Sequence, residues 1–77
     1  MTEQEWRKEF GLRLQQLSRG KYDYKKNKLA ELAGLSPKTV GRYMRGERVP
    51  DAMTLRKIAR ALNCSIDDLL PDEEITE

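Results

Sequence analysis

The chain has 77 residues, of which 36% are charged and 38% hydrophobic, with a formal net charge of +2. This size predicts one domain with a single, marginally sufficient core. No apolar run approaches the ~20 residues that span a membrane, residues 1–5 lack the layout of a signal peptide, and the single cysteine cannot form an internal disulfide. We therefore expect a cytoplasmic protein.

The first predicted helix opens with a Thr-x-x-Glu capping box formed by Thr2 and Glu5. Its apolar stripe has spacings of four, four and three residues: Trp6, Phe10, Leu14 and Leu17. The stripe lasts to about Ser18. Residues 19–24 contain turn residues without periodicity, so they predict a loop.

Two short helices joined by a glycine turn follow. Helix two is predicted from residue 24 or 25 to Ala33, and Gly34 supplies the left-handed backbone that ends such a helix. Ser36 offers an N-cap oxygen, and Pro37 suits the first position of helix three, which extends to about Arg45. This arrangement, at residues 25–45, is typical of a helix-turn-helix.

Two further helices complete the predicted fold. Asp51 caps helix four and Asn63 ends it, while Ser65 caps a short helix five that stops at Pro71. The predicted core includes Leu29, Ala33, Val40 and Leu62. The sequence thus predicts an all-α fold, a compact bundle of five short helices in one domain over residues 1–71, with an acidic tail at 72–77 that we expect to be flexible.

Charge is strongly segregated along the chain. Residues 19–48 hold nine Lys/Arg and three acids, a net +6, whereas the remainder has a net −4. Such segregation creates a local positive field. A solvated lysine-rich face is the plain alternative, but the coincidence with a helix-turn-helix pattern favours nucleic-acid binding.

The start of helix two carries three cations, Lys25, Lys26 and Lys28. The helix dipole disfavours cations there by about 0.3–1 kcal/mol each, so the arrangement becomes favourable only when an anion lies against it. A DNA phosphate meets that requirement, which makes these lysines candidate backbone contacts.

Catalysis finds little support in the sequence. There is no histidine, which removes a histidine base and any metal site that needs one. Cys64 is expected to pack in the core, and Asp67 and Asp68 suit the first turn of a helix. We expect no enzymatic activity, cofactor, metal or small-molecule ligand.

Residues 26–70 resemble the lambda-repressor-like, Cro-type helix-turn-helix family of bacterial and phage DNA-binding regulators. The residues that carry the resemblance are Leu29-Ala30, Gly34-Leu35-Ser36, Val40, Gly46, Pro50 and the segment 55–70. The family places helix three in the DNA major groove. By that resemblance the base-facing residues are Pro37, Lys38 and Arg42, and Arg45 is a phosphate contact.

Helical geometry agrees for Lys38 and Arg42, which are four residues apart and project from one face. Arg42 could bind guanine O6 and N7, and Lys38 a guanine or a phosphate. Thr39 is a candidate contact to phosphate or to a thymine methyl, and Arg48 to the DNA backbone or minor groove.

Two residues depart from the family pattern. Met44 occupies a position where many members have a glutamate that pairs with an arginine of helix one, which leaves Arg13 without a predicted partner. Gly41 is unusual in a recognition helix, and we hypothesise that it lets the backbone approach DNA closely.

The predicted function is a sequence-specific transcriptional regulator, most simply a phage-type or mobile-element repressor that occludes promoter DNA. The resemblance implies a homodimer on a palindromic operator, to which Trp6, Leu69, Leu70 and Ile75 are candidate apolar contributors. Two alternatives remain open: an antitoxin-type protein-interaction module that binds DNA secondarily, and the N-terminal DNA-binding half of a longer repressor.

Overall fold

The computed structural model describes the backbone of residues 1–22 and 26–71, and the side chains of residues 1–19 and 27–71. This part of the chain contains five α-helices and no strand. The helices are α1 (Glu3–Tyr22), α2 (Lys26–Ala33), α3 (Pro37–Met44), α4 (Ala52–Leu62) and α5 (Ile66–Leu69). The predicted all-α fold of five short helices is confirmed. Within the described ranges, no helix combines the length and apolarity needed to cross a membrane.

Helix α1 begins as predicted and ends later. The Thr2 N–H donates to Glu5 Oε1 at 3.0 Å and the Glu5 N–H donates to Thr2 Oγ1 at 3.1 Å, which forms the predicted capping box. The helix continues to Tyr22, so the predicted loop is wrong for residues 19–22. The apolar stripe marks the residues that pack, and a helix can extend beyond it. A glycine such as Gly20 costs a helix only about 1 kcal/mol. Residues 23 and 24 of the predicted loop lie outside the described residues.

Three helices end in the same way. A residue with positive φ follows each one: Gly34 (71°), Gly46 (75°) and Asn63 (55°). Beyond it, the next N–H donates to a carbonyl five residues earlier: Leu35 to Ala30, Glu47 to Arg42 and Cys64 to Ala59. This is the Schellman motif, which satisfies the last carbonyls of a helix. The predicted left-handed terminators Gly34 and Asn63 are confirmed.

The remaining predicted caps are also present. Asp51 Oδ1 accepts the Thr54 N–H at 2.8 Å at the start of α4. At the start of α5, the Ser65 N–H donates to Asp68 Oδ2 at 3.1 Å and the Asp68 N–H donates to Ser65 Oγ at 3.2 Å. These side chains satisfy N–H groups that have no partner within the helix.

The apolar stripes share one core. Its buried members include Phe10, Leu14, Leu29, Ala33, Val40, Ile58, Leu62 and Leu69. The four predicted core positions on α2, α3 and α4 are thereby confirmed. Leu69 is fully buried, so the expectation that it offers surface to a second copy is wrong. Trp6 is half-buried and stacks on Phe10 with ring centroids 5.9 Å apart.

Helix α3 packs on α1 and α2. Its C-terminal end rests closely on α1. Gln15 Nε2 donates to the Met44 carbonyl at 2.7 Å, and a Cβ placed on Gly11 would lie 2.5 Å from that same oxygen. Met44 is half-buried against the core. Arg13 forms an ion pair with Glu9 at 3.4 Å, so the expectation that it lacks a partner is wrong. A carboxylate four residues away on the same helix supplies it.

Candidate nucleic-acid interface

The start of α3 is fixed by its cap. Ser36 Oγ accepts the Thr39 N–H at 3.1 Å, and the Ser36 and Thr39 hydroxyls lie 2.8 Å apart. Pro37 occupies the first helical position, where its missing N–H leaves no bond unmade. These residues therefore fix the point at which the helix begins. Thr39 is half-buried and its hydroxyl already shares a hydrogen bond with Ser36 Oγ, so a contact from it to DNA remains a prediction that involves a second hydrogen bond.

The two faces of α3 differ in kind. Pro37 and Lys38 are exposed, and Arg42 is half-buried one turn further along. Val40, Gly41 and Tyr43 are buried on the inner side. Since the protein itself covers Gly41, the hypothesis that Gly41 gives DNA close access to the backbone is wrong.

The C-terminal end of α3 contains an ion pair that the sequence pattern does not reveal. Arg45 Nε donates to Glu47 Oε2 at 2.5 Å, and both side chains are more than half exposed. The Arg45 hydrogen bond and charge hold the pKa of Glu47 below its usual range, and the charge of Arg42 acts in the same direction. Arg45 is thus a surface cation with a carboxylate partner, and the exposed Arg48 follows in the loop.

The basic start of α2 is described only in part. Lys26 is the first residue of the helix, and Lys28 in the same turn is exposed. The first turn contains no acidic residue, so no side chain of its own opposes the positive end of the helix dipole. Lys25 and the Lys26 side chain lie outside the described residues.

The described cations of α2, α3 and the loop after α3 are the candidates for a DNA-binding surface. We define the basic surface as the exposed or half-exposed cations Lys28, Lys38, Arg42, Arg45 and Arg48. Between residues 27 and 48 the acids are Glu31 and Glu47, both exposed. In the part of the chain that the structure describes, no three His, Cys, Asp or Glu residues are grouped so as to hold a metal ion. The chemistry of the basic surface suits an anionic partner.

The fold and this surface define a helix-turn-helix domain, and comparisons with known proteins give its family. The family model described as Helix-turn-helix, HTH_3, matches residues 18–69. The chain therefore belongs to this lambda-repressor-like helix-turn-helix family, and the predicted resemblance is confirmed. No curated protein sequence matches the chain.

Several solved structures are similar to the chain. The restriction-modification controller protein C.AhdI from Aeromonas hydrophila is 33% identical with a TM-score of 0.78, over 83% of this chain and 96% of that one. The P22 c2 repressor, solved in complex with a synthetic operator, is 28% identical with a TM-score of 0.73 and the same coverage. The clp gene regulator ClgR from C. glutamicum is 25% identical with a TM-score of 0.72, over 83% and 82%. The family and these regulators indicate a DNA-binding regulator rather than an enzyme.

Proposed function

We propose that the chain is a transcriptional regulator that binds double-stranded DNA sequence-specifically, with α3 in the major groove. In detail, we infer a repressor of phage or mobile-element type that occludes promoter DNA and performs no chemistry of its own. The observation that carries the proposal is the outer face of α3, where Lys38 and Arg42 lie one turn apart on a helix whose start is fixed by its cap. A rigid helix bearing cationic side chains suits base readout in the major groove.

The assigned roles rest on exposure and charge for the described side chains, and on charge and sequence position alone for Lys25 and Lys26. Pro37, Lys38 and Arg42 are the candidate base contacts, because they lie on the side of α3 away from the core. Lys25, Lys26, Lys28, Thr39, Arg45 and Arg48 are the candidate backbone contacts. That one similar repressor was solved with operator DNA supports this type of partner.

The test begins with selection of bound sequences from a random duplex pool. We expect Arg42→Ala to relax preference at one base pair, with a loss of about 1–3 kcal/mol of discrimination. Arg56→Ala is the matched control, because it removes an exposed arginine of α4 that lies outside the basic surface. If wild-type protein shows no salt-dependent affinity for any duplex, the proposal fails.

A backbone role predicts a different signature. Lys28→Ala should weaken binding to operator and to unrelated duplex by the same factor. It should also lower the slope of log affinity against log salt by about 0.9. A change in base preference with an unchanged slope would contradict the phosphate role of Lys28.

The proposed assembly is a homodimer on a palindromic operator, with recognition helices about 34 Å apart, one DNA turn. Analytical ultracentrifugation of the complex with a full operator should give two chains per duplex. One chain on a single half-site, with no gain in affinity from the second half-site, would exclude the dimer while leaving DNA binding in place.

A further inference from the structure

The basic surface contains one acid that is paired with one of its own cations. Glu47 accepts a hydrogen bond from Arg45 at 2.5 Å, and the two side chains are 53% and 56% exposed. A carboxylate at this place repels phosphates. It also forms an ion pair with a cation that could otherwise bind a phosphate. Because both side chains lie on the surface, the pair contributes little to stability.

The backbone at Glu47 is fixed relative to the recognition helix. Its N–H donates to the Arg42 carbonyl at 3.0 Å, and the Gly46 N–H donates to the Tyr43 carbonyl at 3.1 Å. The turn also lies against α1, since a Cβ on Gly46 would be 2.9 Å from the Lys8 Cα. Glu47 is therefore held at the end of α3 and is not part of a freely moving loop.

The carboxylate acts differently on the two kinds of DNA group. A phosphate has a full negative charge, so it is repelled by Glu47 and must displace it to bind Arg45. A base edge in the major groove is neutral overall and presents only partial charges. An acid beside Arg42 and Arg45 thus penalises contacts to phosphates more than contacts to bases.

We propose that Glu47 is a specificity-determining residue, which holds Arg45 and weakens binding to duplexes that offer phosphates without the operator bases. The inference rests on the DNA-binding function proposed above. Non-specific binding comes almost entirely from phosphate contacts, whereas operator binding adds base contacts. Glu47 therefore lowers affinity for unrelated DNA by a larger factor than affinity for the operator.

The experiment measures Glu47→Gln on two duplexes, the operator selected from the random pool and a shuffled sequence of equal length, over a salt series. We expect affinity for the shuffled duplex to rise roughly threefold, the scale of one exposed ion pair. The salt slope should steepen by about 0.9, one added phosphate contact. Operator affinity should rise by less, so the ratio of the two affinities falls.

Two further variants separate this mechanism from a general charge effect. Glu31→Gln removes the other exposed acid between residues 27 and 48, and it should leave the affinity ratio unchanged. In an Arg45→Ala background, Glu47→Gln should raise affinity for the shuffled duplex by less than it does in wild type. Thermal melts of each variant confirm that it is folded.

The outcomes are distinct. If Glu47→Gln gives the same ratio as wild type, or changes both affinities as Glu31→Gln does, the role of Glu47 is wrong while DNA binding stands. If wild-type protein binds neither duplex in a salt-dependent way, the proposed function fails, and this inference fails with it.

Discussion

The ends of α2 and α3 have the same backbone motif in different surroundings. Both end at a glycine with positive φ, Gly34 at 71° and Gly46 at 75°, and both close with the same pair of hydrogen bonds. A Cβ on Gly34 would meet nothing within 4 Å, whereas a Cβ on Gly46 would lie 2.9 Å from the Lys8 Cα. At Gly34 glycine is required only for its positive φ. At Gly46 it is required both for its positive φ and because the backbone of α1 lies too close for a Cβ.

The two glycines have different surroundings because the two helix ends lie in different places in the fold. The turn after α2 connects two helices of the helix-turn-helix and faces open space. The end of α3 is seated on α1, where Gly11 and Gln15 approach the Met44 carbonyl and Gly46 approaches Lys8. The position of α3 therefore depends on α1 at its C-terminal end, in addition to its packing on α2.

Gly46→Ala should have the largest effect on stability. The alanine would have to adopt a left-handed conformation, and its Cβ would collide with the backbone of α1. We therefore expect a loss of about 2–4 kcal/mol in the free energy of unfolding. Urea unfolding followed by circular dichroism measures it. A loss no greater than that of Gly34→Ala would show that the contact with Lys8 has no energetic importance.

Gly11→Ala tests the same contact between α1 and α3, with the added Cβ on α1. Its Cβ would lie 2.5 Å from the Met44 carbonyl oxygen and 2.7 Å from that of Tyr43, and neither backbone atom can move without moving α3. Alanine favours a helix by about 1 kcal/mol over glycine, which offsets part of the cost of overpacking, so we expect a net loss of about 2 kcal/mol. An increase in stability would show that α1 and α3 separate easily.

Gly34→Ala should cost less, about 1 kcal/mol, because it introduces left-handed strain without a collision. Gly34→Asn is the matched control, since asparagine tolerates this conformation, and it should recover most of the loss. Gly46→Asn should not recover the stability lost in Gly46→Ala, because asparagine also carries a Cβ that would collide with α1. Equal behaviour of asparagine at both turns would erase the distinction between them.

Local patterns explain how much of this architecture was predictable. The caps at Thr2, Ser36, Asp51 and Ser65 were predicted because each depends on residues within three positions of each other. The left-handed terminators followed from the same kind of short-range signal. Core positions on α2 to α4 followed from helical periodicity.

Features that join distant segments were not predictable in this way. Where α3 packs on α1, Gly11 lies against Met44 and Gly46 lies against Lys8. No local sequence pattern reveals which distant residue a glycine will contact. The direction of Gly41 was misjudged for that reason. The Arg45–Glu47 pair is local, but charges two residues apart face each other only because the turn at Gly46 reverses the chain.

The smallest expected effect is a pH dependence of stability at the turn after α3, which carries the Arg45–Glu47 ion pair. Arg45 lowers the pKa of Glu47 in the folded protein, first by its hydrogen bond and then by its charge. A carboxyl group with a lowered folded pKa stabilises the protein above its ordinary pKa, and that stabilisation is lost as the pH falls through the lowered value. We therefore expect Glu47→Gln to lower the melting temperature slightly at pH 7, and this difference should shrink progressively as the pH falls below the ordinary range of a glutamate carboxyl. The difference should vanish in an Arg45→Met background. A pH-independent difference would mean that the ion pair does not contribute in solution, and that Arg45 is as free to bind phosphate as Arg48.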